Sequence, residues 1–307
     1  MAAGSRWIDL LDPTREELAA KLPREVHDRA LDQLLAPAEH EDDPRPKLES
    51  HGDYVFGIFL VPVVVAQEDA VYYQEIDVVM TRDVLLTVRK TPPDGRSPWD
   101  PQPTRESCRE HENVAMVAYH LVDDIAERFL DLVDDLNAEI DELEDHVEEW
   151  DAERVRTRLS ALRHDLLHIR RTLAPTRDAI REVVDNRIEF AGKEVFTHEV
   201  ELNFGNAYDK LLRAADNLDL ARDLVAGVRD YQQAKIANDQ NEVMKRLAVI
   251  ATIFLPLTFL TGFFGQNFSY LVAHVETGEV VFWVLGVALE LAAAIALFAL
   301  IKWRRWL

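Results

Sequence analysis

Two apolar runs close to the C-terminal end dominate the hydropathy pattern of this chain. Leu247 to Phe264 is interrupted only by Thr252, Pro256, Thr258, Thr261 and Gly262, and Val280 to Leu300 follows after a short loop. A membrane-spanning helix takes about 20 apolar residues at 1.5 Å of rise each, so each run predicts one span. A single run of this kind also suits the buried helix of a soluble protein. Here two runs lie together between charged flanks: Lys245 and Arg246 precede the first, and Lys302, Arg304 and Arg305 follow the second. Basic residues mark the cytoplasmic side of a bilayer. The pattern predicts a multi-pass protein of the cell (inner) membrane with both termini cytoplasmic. Its expected segments are a first span at 247–266, an outer loop at 267–279, a second span at 280–301 and a basic tail at 302–307.

Upstream, the period changes to that of packed helices. Phe129, Val133, Leu136, Ile140, Leu143, Val147 and Trp150 step by four and three, a heptad seam. Val155, Leu159, Leu162, Leu166, Ile169 and Leu173 form a second seam. With a break near Glu149 to Glu153, the two predict an antiparallel helical hairpin within 101–190. Pro175 is expected to bend or locally open its second arm. After Ala191-Gly192-Lys193, a third helix is predicted from about His198 to Phe264, its cytoplasmic stalk covering 194–246. Unbroken, it is roughly 100 Å long and needs lateral support from the hairpin and from neighbouring copies.

Residues 1–100 read as a small α/β layer. Trp7-Ile8-Asp9-Leu10, Tyr54 to Val65, Val71 to Met80 and Val84 to Val88 are strand-like, being rich in β-branched and aromatic residues. Asp12 reads as a helix N-cap with Pro13 at the first position, and a second helix is expected from Glu25 to Leu35. The fold class is therefore an α+β cytoplasmic domain, sheet layer plus helical hairpin, with a very long stalk helix entering the membrane.

Charge narrows the partners. The 307 residues carry 34 basic and 56 acidic side chains, a formal net charge of −22. That balance argues against nucleic acid and favours cations. The first hairpin arm is strongly acidic from Asp123 to Glu149. Its carboxylates read either as a solvated coiled-coil face or as a collector of divalent cations. Cys108 is the only cysteine, which excludes an intrachain disulfide and, on the count of cysteines, a Cys-based zinc site. Met1 to Leu11 lacks the pattern of a signal peptide. Cys108 and His111 lack a third member for nucleophilic catalysis. His164 and His168, four apart, read as a surface pair. No phosphate loop of the GxxxxGK type occurs, so no ATP drive and no enzyme activity are expected.

The stretch Asn241 to Phe268, NEVMKRLAVIATIFLPLTFLTGFFGQNF, resembles the first membrane helix of the CorA family of divalent-cation channels and transporters. That family ends the helix in Gly-Met-Asn, follows it with a short outer loop and a second helix, and closes on a basic, Trp-containing tail. Lys302-Trp303-Arg304-Arg305-Trp306-Leu307 is similar to that tail. Pro44-Arg45-Pro46-Lys47-Leu48-Glu49 followed by Tyr54-Val55-Phe56 is similar to the cytoplasmic domain. Here Gln266 stands in place of the motif's methionine. The resemblance implies a homopentamer forming a funnel; the sequence by itself implies only an oligomer, because two membrane helices cannot enclose a polar path.

Asn241, Met244, Leu247, Ala251, Leu255, Thr258, Gly262 and Gly265 step by threes and fours and lie along one slowly drifting face. Rings of Asn241 and Thr258 would offer oxygens, while Met244, Leu247 and Leu255 would form dry constrictions. Gly265 would let backbones approach closely and take φ > 0 at the helix end. Gly265, Gln266 and Asn267 form the candidate selectivity filter. The resemblance assigns the filter ring to Asn267, whose amide oxygen accepts from metal-bound water without the grip of a full charge. Mg²⁺ gives up its water reluctantly, so outer-sphere binding of the hydrated ion is expected.

The resemblance also implies a regulatory Mg²⁺ site between subunits, with Asp230 on the stalk as one ligand. Asp32 is the best match for its partner, although the family's aspartate aligns with Gln33. Glu290, a charge near the middle of the second span, is costly and usually functional or paired; it reads as a proton relay or as a side chain bonded to a neighbouring helix. Three functions remain in play. The first is an Mg²⁺ channel, tolerating Co²⁺ or Ni²⁺ by resemblance. The second is a proton-coupled Zn²⁺ transporter on the same scaffold. The third is a membrane-anchored coiled-coil scaffold or sensor.

Overall fold

The β-branched and aromatic runs near the N-terminus form one five-stranded sheet. β1 (Trp7–Leu11), β2 (Lys47–Ser50), β3 (Val55–Val65), β4 (Ala70–Met80) and β5 (Leu85–Arg89) lie in the order β1-β5-β4-β3-β2. β1 runs parallel to β5, and the other neighbours pair antiparallel. The computed structural model describes residues 7–38, 44–65, 70–92, 96–109, 112–188, 190, 195–266, 269–274 and 278–303. The chain divides into two units, Met1–Arg229 and Asp230–Leu307.

In the first unit, alternation along the strands serves two cores. Phe56, Ile58, Leu86 and Val88 pack with Leu18 of α1 (Arg15–Lys21) and Leu34 of α2 (Asp28–Leu35). Val55, Phe59, Val61, Ile76 and Leu85 face the other way and join the helical core. The cap of α1 differs from expectation. Thr14 accepts from the Glu17 N–H at 3.2 Å, and the Glu17 carboxylate accepts from the Thr14 N–H at 2.9 Å. This reciprocal box serves two helix-end donors, where a lone Asp cap would serve one. Asp12 instead adopts φ 45° and accepts from the Thr91 N–H at 2.9 Å. α2 begins at Asp28, later than the expected Glu25, and β2 is a strand that the pattern did not predict.

α3 (Gln102–Ser107) leads to the hairpin of α4 (Val114–His146) and α5 (Ala152–Val184). Asn113 caps α4 by accepting from the Ala115 N–H at 3.1 Å, and Asp151 caps α5 by accepting from the Arg154 N–H at 2.8 Å. Both expected seams are buried in one core, from Phe129 to Leu143 and from Val155 to Leu173. α5 stays α-helical through Pro175, so the arm does not open there, and Leu173, Thr176 and Ala179 around it are buried. α6 (His198–Phe264) is a single helix of 67 residues. Val200, Phe204, Ala207, Leu211, Ala214, Leu218, Ala221, Val225 and Val228 bury a third heptad seam in the same core.

Beneath α2 lies a buried charge cluster. The Lys90 ammonium pairs with Glu75 and sits 3.1 Å from Asp77 Oδ2, and it donates to the Gln33 carbonyl at 3.0 Å. Asp77 is 0% exposed and its carboxylate lacks a well-directed hydrogen bond. Burial first, and the Glu75 charge second, push its carboxyl up to about 8, with Lys90 opposing.

In the second unit, α6 is followed by α7 (Ser269–His274), α8 (Glu279–Val281), a π-helical segment over Phe282–Ala288 and α9 (Leu289–Trp303). Among the described residues, α6 alone is a single helix long and apolar enough to cross a membrane. The second apolar run, expected as one regular helix, changes helix type on the way.

Candidate functional site

The stripe read from spacing sits on one open face of α6. Its buried or half-buried positions from 249 onward are Val249, Ile253, Pro256, Leu257 and Leu260. Ala251, Leu255, Thr258 and Gly262 each follow one of these by two residues, an advance of about 200° at 3.6 residues per turn. These four positions thus lie opposite the packed side, while α6 from 236 to 248 is exposed all round. Asn241, Gly262 and Gly265 are exposed too, and Met244, Leu247 and Leu255 are 63%, 55% and 72% exposed. A large apolar side chain this open on a regular face is a surface that needs a partner.

The polar members are pre-set as acceptors. The Thr258 hydroxyl donates to the Phe254 carbonyl at 2.8 Å, and Thr252, off the stripe, donates in the same way to the Ala248 carbonyl at 2.7 Å. Each hydroxyl proton is therefore occupied, and the oxygen presents lone pairs outward. That arrangement suits a cation or the hydrogens of its water shell.

The end of α6 is tight. The Gly265 N–H donates to the Thr261 carbonyl at 2.9 Å and the Gln266 N–H to the Phe263 carbonyl at 3.3 Å. Gly265 does not adopt the expected positive φ; among the described residues the glycines that do are Gly52 and Gly278. Space is tight here instead, since a Cβ at Gly265 would lie 3.0 Å from the Thr261 carbonyl oxygen. Gln266 is exposed. Asn267 lies outside the described residues.

Asp230 is exposed on α6 and Asp32 is exposed on α2. Gln33, beside Asp32, is committed elsewhere: its side-chain amide donates to Glu75 at 3.0 Å. Of the two neighbours, Asp32 is the free-facing carboxylate. Glu290 stands two residues beyond the π segment and accepts from the Thr261 hydroxyl at 2.9 Å. Of the acidic arm, Asp123 and Glu127 are tied to Lys210 at 2.9 and 2.6 Å, and Asp124 to Arg128 at 3.0 Å. Asp131, Asp135, Asp141 and Glu142 remain exposed.

One constellation was missed. Cys108, Glu112 and His120 hold ligand atoms all within 4.8 Å of one another. Excluding a metal site by counting cysteines overlooked a mixed donor set. Burial and then the Glu112 charge push the Cys108 thiol up to about 11, so it is a poor nucleophile at neutral pH. His111 lies outside the described residues. His168 packs its ring edge-on against Tyr73 at 4.7 Å.

The sequence model of the CorA-like Mg²⁺ transporter protein family matches residues 2–303. The chain belongs to the CorA family. CorA proteins are divalent metal-ion transporters of membranes, not enzymes. The cobalt/magnesium transport protein CorA of Thermotoga maritima is 27% identical over 273 residues, 86% of this chain and 74% of that protein. The zinc transport protein ZntB of Yersinia enterocolitica is 27% identical over 175 residues, 57% of this chain and 52% of that protein. The complete structure of the CorA magnesium transporter from Methanocaldococcus jannaschii superposes with a TM-score of 0.78 at 22% identity. It covers 98% of this chain and 91% of that one. The CorA fold, an α+β domain joined to a long helix, is thereby shared across the chain.

Proposed function

We propose that this CorA protein is an Mg²⁺ influx channel, tolerant of Co²⁺ and Ni²⁺, formed by five copies around the open face of α6. The observation that carries the reading is the exposed stripe of Ala251, Leu255, Thr258 and Gly262, opposite the packed side of the helix, which Asn241, Met244 and Leu247 continue into a stretch exposed all round and Gly265 continues at its end. In a ring, that face closes on itself. Met244, Leu247 and Leu255 become dewetting constrictions, while the outward lone pairs of Thr258 meet hydrated cations. Gly265, Gln266 and Asn267 form the outer filter, in which Asn267 holds the ion through its water. α6 is the first span, and the continuous helical path from α8 through α9 is the second, with both termini cytoplasmic. A membrane potential of about 100 mV contributes about 2.3 kcal/mol per charge, so inward flow of a divalent ion needs no other energy source.

The exposed carboxylates of Asp230 and Asp32 suit a hydrated Mg²⁺ held between adjacent copies. Filled at high cytoplasmic Mg²⁺, such sites lock the stalks; emptied, they release them. The similarity to ZntB and the placement of Glu290 favour a second reading, a proton-coupled Zn²⁺ transporter with Glu290 as relay.

Uptake of Mg²⁺ and Zn²⁺ into proteoliposomes, with and without a pH gradient, separates the two. The channel reading expects Mg²⁺ flux indifferent to the gradient and abolished by Asn267→Ala. Intact flux in Asn267→Ala sinks it. Zn²⁺ flux that follows the gradient, and stops following it in Glu290→Gln, selects the second reading.

A further inference from the structure

The joint between α3 and α4 brings together three side chains that the transport reading does not use. Cys108 caps the C-terminal end of α3, Glu112 lies just before the Asn113 cap of α4, and His120 projects from the second turn of α4. His120 Nε2 is 3.2 Å from Glu112 Oε2. The Arg109 backbone N–H fixes the same carboxylate oxygen at 3.0 Å, and the Cys108 thiol is 3.5 Å from the Thr104 carbonyl. The side chains of His120 and Glu112 are only 22% and 14% exposed.

We propose that Cys108, Glu112 and His120 form a cytoplasmic binding site for a borderline divalent cation of the Zn²⁺ class. Tetrahedral Zn²⁺ bonds nitrogen and carboxylate oxygen at about 2.0–2.2 Å, which puts those two ligand atoms about 3.4 Å apart. The His120–Glu112 pair already has nearly that separation. Sulfur belongs about 3.6 Å from each, so it has at most about 1 Å to close. The donor set rejects Mg²⁺, which demands oxygen, and accepts Zn²⁺ or Co²⁺, which take sulfur and nitrogen. Binding releases the Cys108 thiol proton to solvent, and the ion then balances the thiolate and the Glu112 carboxylate. Three protein ligands leave one tetrahedral position for water, the arrangement of an exchangeable site rather than a closed structural one. The Arg109 N–H supplies an outer contact that orients the Glu112 carboxylate. The site therefore reads metals other than the Mg²⁺ assigned to the pore.

Because Cys108 is the only cysteine, any thiolate-to-metal signal in the chain comes from it. The test is a Co²⁺ titration of the purified full-length protein in detergent, followed by near-ultraviolet and visible absorption. The expected result is a thiolate-to-Co²⁺ charge-transfer band with tetrahedral d–d bands, saturating at one ion per chain. Zn²⁺ should bleach the band and a large excess of Mg²⁺ should not. Cys108→Ser should remove the charge-transfer band. His120→Ala and Glu112→Gln should keep the helical circular dichroism and weaken Co²⁺ binding by about tenfold or more. A wild-type protein without the band, or a band indifferent to both His120→Ala and Glu112→Gln, overturns the site. The readout is independent of transport, since Asn267→Ala should retain the band whatever happens to its flux.

Discussion

The Thr261 hydroxyl is 2.9 Å from Oε1 of Glu290 and 2.8 Å from the Leu257 carbonyl. One proton faces two acceptors, so the bond that joins α6 to α9 depends on the state of Glu290. An ionised Glu290 takes the Thr261 proton. A protonated Glu290 donates to the Thr261 oxygen and returns the hydroxyl to Leu257. Either way, the charge in the second apolar run has a partner within the same unit.

That bond predicts an asymmetry between two variants. Glu290→Gln keeps both an acceptor and a donor within reach of Thr261, so stability in detergent should change little. Thr261→Val removes the only hydroxyl and should cost about 0.6–1.7 kcal/mol, the range for hydrogen bonds between membrane helices. The double variant should lose no more than Thr261→Val alone. Unfolding midpoints of the three proteins check this, and a Thr261→Val midpoint equal to that of the wild type, or a Glu290→Gln loss as large as that of Thr261→Val, would contradict it.

Gly265 and Gly262 make a second contrast. A Cβ at Gly265 meets the Thr261 carbonyl at 3.0 Å, whereas at Gly262 nothing lies within 4 Å. Gly265→Ala should therefore strain the end of α6 within each chain, by about 1–3 kcal/mol. Gly262→Ala should leave the isolated chain's helix as stable or more stable by about 0.5–1 kcal/mol, so a loss of flux there would arise between copies. Circular dichroism, unfolding midpoint and liposome uptake of both variants read the difference.

Much of this architecture was legible because it repeats. The Phe129 and Val155 seams recur over several heptads, and α6 carries no strong breaker between His198 and Pro256. What was not legible is local competition or distance. Asp12-Pro13 and Thr14-Glu17 are both helix-start signals; the second wins because its two bonds are reciprocal, and Thr91, far along the chain, claims Asp12. β2 is a short, polar edge strand, visible only once β3 offers it a ladder. The third seam on α6 hides because alanines alternate with larger residues. The π segment Phe282–Ala288 has the composition of any apolar helix. In the candidate pore, the positions read from spacing are exposed, and so are Ile250, Phe254 and Phe259 off the stripe. Of the two reasons that reading gave for Gly265, the positive φ is not adopted, and it missed Cys108 with Glu112 and His120, whose spacing matches no metal motif.

Leu255 is 72% exposed on the stripe, one turn before Thr258. If this ring closes the pore by excluding water, a polar side chain there should hold water and leak. Leu255→Ser should raise basal Mg²⁺ uptake at high internal Mg²⁺, where the proposed regulatory sites would hold the wild type shut. Phe254, 63% exposed but off the stripe, is the control, and Phe254→Ser should not leak. Stopped-flow uptake with an entrapped Mg²⁺ dye distinguishes them; equal leaks would remove the constriction from this face.

The buried cluster under α2 makes stability depend on pH in an unusual direction. Asp77 holds its proton in the folded chain up to about 8, whereas an unfolded aspartate releases it near about 3.9. Between those values the folded state binds a proton that the unfolded state has lost, so stability falls as pH rises. This contribution is complete below the unfolded value and gone above the folded one. Asp77→Asn keeps the shape without the charge. Its unfolding midpoint should vary less between pH 5 and pH 8.5 than that of the wild type, and the difference should grow towards the alkaline end. Lys90→Met removes the shared cation and leaves two buried carboxylates without it. It should be destabilised by about 3–5 kcal/mol, most severely at alkaline pH. Parallel pH profiles for wild type and Asp77→Asn would show that Asp77 is ionised throughout and that Lys90 alone is enough to hold both charges.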